Sequence, residues 1–302
     1  MSKYPKLKEF MATARLFEHT AHAHLYSRYR PTYPKAVVSA ITDYVTRIGG
    51  SLGLAVDVAC GSGQSTFYLK EAFKKVIGVD ISKAQIEEAN RKCKVENVDN
   101  IEFQVGNGMN LSFEDESVDM VTIAQALHWL DRGKFFAECK RVLKHKGCLA
   151  AYGYGNVRVV SEQCNALVSN FYRNSLKGCW HEARCHIDNE YRSIQLPFSN
   201  THRIDMTMPC TMSLEAFIGY LSTWSGYQKY CEDYPDNTLL KDLNIAIRET
   251  LESTEQNRHQ HAASEEQNRP TSDTDFTIKS EDCGNLKVEA YFPVFILLGQ
   301  KV

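Results

Sequence analysis

The chain has 302 residues, 43% of them hydrophobic, with 35 Lys and Arg against 37 Asp and Glu and a net charge of −2. That much apolar material excludes disorder of the whole chain, and without a basic block nothing attracts a polyanion, so nucleic acid is not an expected partner. The N-terminal segment lacks an apolar signal region, no run approaches the roughly 18 apolar residues of a membrane span, and the ten cysteines form no Cys-x-x-Cys pair. A cytoplasmic protein with reduced thiols and no membrane partner is expected.

Pro31 and Pro34 interrupt the N-terminal segment, and Val37, Val38, Ile41, Tyr44 and Val45 then recur at helical spacing over Lys35–Arg47 before Gly49-Gly50. Strands are expected at Ala55–Ala59, Val76–Val79, Ile101–Val105, Val118–Ala124 and Cys148–Tyr154, with helices at Ser65–Ala72, Ser82–Cys93 and Lys134–Leu143. Near-continuous apolar strands alternating with helices mark an α/β protein whose mainly parallel sheet is covered on both faces. After Tyr154 the alternation stops. Helical stretches at Cys164–Ser175, Ser213–Tyr230 and Leu239–Leu251 surround a strand at His202–Met208, as in a mostly helical cap. Residues 254–275 are polar without periodicity and read as a flexible loop. Val288–Leu298 returns to strand character and completes the sheet.

The most informative stretch is Ala55-Val-Asp-Val-Ala-Cys-Gly-Ser-Gly63, followed by Val76-Ile-Gly-Val-Asp-Ile81. Gly61 and Gly63 allow a tight turn and close approach of the backbone to a ligand, with a following helix offering free N–H groups. A dinucleotide fingerprint needs a third glycine where this chain has Thr66, which weakens a nicotinamide reading. Asp57, inside the first strand, suits an ammonium, as in the amino-acid moiety of S-adenosylmethionine. Asp80, ending the second strand, is placed to accept hydrogen bonds from two ribose hydroxyls.

With these residues the chain resembles a class I S-adenosylmethionine-dependent methyltransferase. Tyr26-Ser-Arg-Tyr-Arg-Pro-Thr-Tyr-Pro34, His128-Trp-Leu-Asp131, Tyr152-Gly-Tyr154, Tyr220-Leu-Ser-Thr-Trp-Ser-Gly-Tyr-Gln228 and Leu298-Gly-Gln-Lys-Val302 are similar, in order and spacing, to the trans-aconitate methyltransferase-like family of fungi. The resemblance implies a Rossmann-like, doubly wound sheet of seven strands with an antiparallel last strand. The cofactor core would span residues 35–154, the substrate cap residues 1–34 and 155–285, and the closing strand 286–302, all in one domain. It also implies that Asp57, Gly61 and Gly63 hold the methionine part, Asp80 the ribose and Ile81 the adenine face. Asn107 would stand where the superfamily often has an Asp for the adenine amino group, and Gln125 and Ala126 would form the floor beneath the sulfonium.

Methyl transfer from a sulfonium is governed by placement of donor and acceptor, and a base is needed only where the acceptor must lose a proton. Arg28 and Arg30, interleaved with Tyr26, Tyr29 and Tyr33, can clamp an anionic substrate, and in the resembled family such a segment closes over the site. The same arginines also fit an ordinary surface loop. His128, following the fourth strand, is the candidate catalytic group, as a base or as a donor to the acceptor; a packed histidine is the alternative, and Trp129 reads as packing. Tyr152, Tyr154, Trp224 and Tyr227 can wall the acceptor, although aromatics at 220, 224 and 227 equally fit one buried helix face. Cys179-Trp-His-Glu-Ala-Arg-Cys-His186 matches no usual zinc spacing, so no metal is expected. The expected activity is methylation of a small, anionic or carboxylate-bearing molecule on oxygen. Methylation of nitrogen or sulfur is the alternative within that class, and a nicotinamide-dependent oxidoreductase or a non-catalytic cofactor-binding protein outside it.

Overall fold

The computed structural model describes residues 29–266 and 286–302. Its contacts divide the chain into two compact units. The first holds the residues up to Asn156 together with His181–Met208 and Phe292–Val302, and the second holds Val157–Trp180 and Pro209–Tyr291.

In the first unit, α1 (Lys35–Arg47) follows Pro34 and buries Val37, Ile41, Tyr44 and Val45 along one stripe. The chain then alternates through β1 (Leu54–Val58), α2 (Thr66–Leu69), β2 (Lys75–Asp80), α3 (Lys83–Glu96), β3 (Ile101–Val105), β4 (Val118–Ala124), α4 (Arg132–Val142) and β5 (Leu143–Tyr154). Ser82 caps α3 by accepting the Gln85 N–H, and Asn97 ends that helix in the left-handed region. Asp131 caps α4 by accepting the Lys134 N–H. Strands β1 to β5 pair in parallel and β8 (Lys287–Gln300) runs antiparallel along β5, in the order β3-β2-β1-β4-β5-β8. Both faces of β1 and β4 are covered, so Val56, Val58, Val121 and Ile123 are almost fully buried. Each such side chain contributes roughly 1.5–3 kcal/mol to folding.

The second unit is built from α5 (Glu162–Asn170), a π-turn at Phe171–Ser175, α7 (Leu214–Ser222), α8 (Ser225–Asp233) and α9 (Leu239–Glu266); the short α6 (Arg184–Asp188) belongs to the first. Phe171, Tyr172, Trp180, Tyr220, Trp224 and Tyr227 pack ring against ring there. Within this unit the two-residue β6 (Arg158–Val159) pairs with Tyr291 and Ala290 of β8.

Several expectations need correction. The sheet has eight strands, because β6 and β7 (Ser199–Ser213) both pair with β8. The helix expected over Ser213–Tyr230 is two helices: the Thr223 hydroxyl donates to the Tyr220 carbonyl at 2.6 Å, closing the last turn of α7, and Trp224 is extended before α8. Residues 254–266 continue α9 rather than opening a loop. Their Glu, Gln, Arg and Ala favour a helix while their uniform polarity hides its period. Residues 267–275 of the expected loop lie outside the described residues. By their contacts, His181–Met208 and the described residues 29–34 fall in the first unit. Among the described residues no helix is long and apolar enough to cross a membrane.

Candidate active site

The parallel sheet reverses its order between β1 and β4, and a crevice opens at the carboxyl ends of the strands there. A cavity of about 230 Å³ lies in it, far above the roughly 15 Å³ that one water needs. Its walls come from the β1–α2 loop (Gly61, Ser62, Gln64, Ser65), the ends of β2 and β3 (Asp80, Ile81, Asn107), the end of β4 (Gln125, Ala126) and Tyr154 of β5, with Thr32 and Tyr33 beside them.

Gly61 and Gly63 both have positive φ, +54° and +82°. At Gly61 a Cβ would project into the cavity with only Gln85 within reach, whereas at Gly63 it would strike the Phe103 ring at 2.6 Å. The first glycine leaves room for a ligand and the second lets the loop pack on β3. Asp57 does not reach the cavity. It is fully buried, its Oδ2 accepts from the Thr66 hydroxyl and its Oδ1 from the Thr122 hydroxyl, both at 2.7 Å. The structure thus sets Asp57 behind the cavity wall, with each of its oxygens meeting a neighbouring hydroxyl, and Thr66, at the place of the missing third glycine, is one of the donors. Burial pushes the Asp57 carboxyl up to about 6 against the pull of the two threonines.

Asp80 ends β2 and lines the cavity. Its Oδ2 accepts from the Gly61 N–H and its Oδ1 from the Ser82 N–H, each at 2.8 Å. Desolvation raises its pKa, and the backbone donors oppose that. An ionised carboxylate has about four acceptor positions, so two remain for hydroxyls. Ile81 lines the cavity and stays 40% exposed, although it is a large apolar side chain at the end of a buried strand. An exposed isoleucine beside a carboxylate with spare lone pairs fits the flat face and the ribose of a nucleoside. Asn107 also lines the cavity, and its Oδ1 accepts from the Met109 N–H at 2.9 Å, which fixes the amide orientation.

At the opposite end, Gln125 takes positive φ (+55°) and its carboxamide holds both backbone groups of Tyr154. Ala126 lies beside it in the wall. Tyr154 packs on Tyr33 with ring centroids 5.7 Å apart, and Arg30 Nη1 donates to the Tyr154 hydroxyl at 3.5 Å. Tyr26 and Arg28 lie outside the described residues. Trp224 is buried in the aromatic core of the second unit, ring against ring with Phe171, Tyr172, Trp180 and Tyr220, and is not among the cavity's walls.

His128 is not in the cavity wall either. Its Nδ1 lies 2.8 Å from the Tyr191 hydroxyl, and the ring is buried. Burial, and then the charges of Arg184, His186, His181 and Arg132, push its pKa down to about 3. The structure thus places His128 against Tyr191, the packed arrangement that was the alternative to a base, with desolvation first and the Arg184 and Arg132 charges after it opposing protonation. Its neighbour Trp129, expected only to pack, does line the cavity, as do Leu130, Ser65, Gln64 and Gln85. Sequence reasoning misses these because polar residues after a glycine turn look like ordinary loop. The one available signal was their position at the carboxyl edge. Of the residues in Cys179–His186, Cys179 falls in the second unit and His181, Cys185 and His186 in the first, and no three potential ligands cluster among the described residues.

The doubly wound sheet, the two-glycine turn and the acidic residue ending β2 define a nucleoside-binding site of the methyltransferase class. Residues 56–151 match the family described as a methyltransferase domain. The chain is 32% identical over 278 residues to a Dictyostelium discoideum protein named as a methyltransferase, covering 91% of this chain and 92% of that one. It is 35% identical over 131 residues to a Saccharomyces cerevisiae protein named as an S-adenosylmethionine-dependent methyltransferase, covering 43% and 44%. A structure from Anaeromyxobacter dehalogenans, titled as a type II methyltransferase, matches with a TM-score of 0.69 and 26% identity over 91% of this chain and 99% of that one. The chain belongs to the class I S-adenosylmethionine-dependent methyltransferases. S-adenosylmethionine is accordingly its cofactor, and the nicotinamide and non-catalytic alternatives fall away.

Proposed function

We propose that the chain methylates an oxygen of a small carboxylate-bearing molecule, as its resemblance to the trans-aconitate methyltransferase-like family also suggests. The observation that carries this reading is the ionisable content of the cavity wall. Among the described residues that wall contains no His, Lys or Glu; its ionisable groups are Asp80, engaged by two backbone N–H groups, the Cys60 thiol, pushed well above its ordinary range by burial, and the phenols of Tyr33 and Tyr154. An acceptor already ionised at neutral pH needs no base from the protein. Arg30, on the Tyr154 hydroxyl, supplies a cation suited to a carboxylate.

S-adenosylmethionine supplies an activated methyl group on a sulfonium centre. The residues at hand then have three tasks: Asp80 and Ile81 orient the nucleoside, Gly61 admits the backbone close to it, and Tyr33, Tyr154 and Trp129 exclude water from the opposite end. Nine cysteines are free among the described residues, which supports a reducing compartment such as the cytosol.

The test is transfer of labelled methyl from S-adenosylmethionine to panels of small carboxylates, amines and thiols at pH 6 to 9. The proposal expects carboxylates to be esterified with a flat profile above pH 6, and Arg30→Ala to raise the acceptor KM about tenfold. Turnover confined to amines or thiols, with a rising limb toward alkaline pH, would instead establish nitrogen or sulfur methylation.

A further inference from the structure

We propose that Gln125 is a positioning residue for the methyl acceptor: its side chain takes the place of a missing strand and so fixes Tyr154, whose hydroxyl meets Arg30, at the acceptor end of the cavity. The assignment of that end rests on the methyltransferase reading of the site. Asp80 and Asn107 stand on the β2 and β3 side of the switch point, so the transferred methyl group faces the β4 and β5 side, where Gln125 and Tyr154 lie.

The geometry follows from how the ladder ends. Strands β4 and β5 pair in parallel up to Ala124 opposite Tyr152, and the Gln125 N–H still donates to the Tyr152 carbonyl at 2.8 Å. The backbone then turns away through the positive φ of Gln125. Two residues on from Tyr152, the N–H and C=O of Tyr154 point to the same edge of β5, where β4 no longer runs. Tyr154 is only 5% exposed, and each backbone group buried there without a partner would cost about 1–3 kcal/mol. The carboxamide of Gln125 meets both needs, Nε2 donating to the Tyr154 carbonyl at 2.9 Å and Oε1 accepting its N–H at 3.0 Å. Gly153 makes room for it, since a Cβ there would overlap Gln125 Oε1. The Tyr154 phenol, held in this way, packs on Tyr33 and receives the Arg30 guanidinium.

Both roles of the carboxamide are needed. Gln125→Met keeps the bulk and loses both bonds, whereas Gln125→Glu keeps an acceptor but as a carboxylate cannot donate to the Tyr154 carbonyl. A protonated glutamic acid can do both, so the Glu variant recovers as the pH falls and the Met variant does not.

The experiment measures three quantities on the wild type, Gln125→Met and Gln125→Glu: hydrogen exchange of the Tyr154 amide, the Kd for S-adenosylhomocysteine, and the KM for the acceptor that the wild type turns over. In Gln125→Met, Tyr154 exchange should accelerate at least about tenfold relative to Ala150 and Ala151 of β5, with the acceptor KM up by a similar factor and the Kd within about twofold of wild type. In Gln125→Glu, Tyr154 protection and KM, each taken as a ratio to wild type, should recover between pH 8 and pH 6. Unchanged Tyr154 exchange in Gln125→Met overturns the proposal. So does a Kd that rises in step with KM, which would make Gln125 a contact of the cofactor. A variant that unfolds accelerates Ala150 and Ala151 equally, and the Glu variant at pH 6 against pH 8 then decides alone. If the wild type esterifies no carboxylate, the acceptor reading fails, while Tyr154 exchange and the Kd still decide the role of Gln125.

Discussion

Thr66 donates its hydroxyl to Asp57 at 2.7 Å across the β1–α2 connection, so the glycine turn is tied from below by the strand that leads into it. Thr122 of β4 approaches the other carboxylate oxygen at the same distance, and the three side chains join β1, α2 and β4 under the cavity floor.

The isosteric substitution Thr66→Val should remove one of the two donors to a buried carboxylate. Hydrogen bonds to charged groups are worth about 1.5–3 kcal/mol, so urea unfolding at pH 7.5 should show a loss of that order. The Kd for S-adenosylhomocysteine should rise as the turn loosens. Equal unfolding midpoints for the two proteins would show that the hydroxyl carries no weight.

The pH dependence of stability follows from Asp57. Its folded pKa, about 6, lies above the ordinary 3.8 because burial disfavours the charge. The folded state thus holds a proton that the unfolded state releases, and the stabilisation present below pH 3.8 is lost as the pH rises through 6. The full difference is worth roughly 3 kcal/mol. Relative to Asp57→Asn, which does not titrate, the wild type should therefore lose stability between pH 4.5 and pH 7.5 in chemical denaturation. A wild type that gains on the variant over that range would refute the sign.

Asp80→Ala removes the acceptor for the Gly61 and Ser82 N–H groups as well as for ribose hydroxyls. At about 1.5 kcal/mol or more for each lost charge-assisted bond, binding of S-adenosylhomocysteine should weaken by about a hundredfold. Asp80→Asn keeps one acceptor and should fall between the two in calorimetric titration. Wild-type affinity in the alanine variant would remove Asp80 from the site.

His128→Phe should act on stability and not on chemistry. It deprives the Tyr191 hydroxyl of its partner at 2.8 Å, a loss of about 1–3 kcal/mol. Since the folded pKa of His128 is pushed below its ordinary 6.5, to about 3, the stability it brings is present above pH 6.5 and declines as the pH falls from there. The shape of the kcat/KM profile between pH 6 and pH 8 should be the same in both proteins. A limb present in the wild type and missing in the variant would restore His128 as a catalytic base.

The parallel core was legible in the sequence because apolar residues predominate in β1, β2, β4 and the Cys148–Tyr154 part of β5, and alternate with polar ones in β3. The expected β3 and β4 coincide with the observed spans, and β1 and β2 differ by a residue at their ends. That Asp80, Gly61 and Ile81 line one cavity was legible too, since position at a strand end is what periodicity reveals. Where Asp57 and His128 lie was not legible: a polar residue next to a motif looks alike in one dimension wherever it points, and only the third shows Thr122 and Tyr191 meeting them outside the cavity wall. The 254–266 stretch was misread because a helix that is polar on all sides has no hydrophobic period.

The antiparallel alignment of Cys148–Tyr154 with Val294–Gln300 has a consequence for biosynthesis. The free edge of β5, buried and apolar in the finished sheet, is translated well before its partner. Residues 155–286 must follow first, which at typical elongation rates takes roughly ten seconds. Throughout that interval the nascent chain presents an unpaired hydrophobic strand edge, the kind of surface that invites intermolecular pairing. Slower elongation across 155–286, or a shortage of chaperones during it, should lower the yield of native protein without altering the stability of the molecules that complete the sheet.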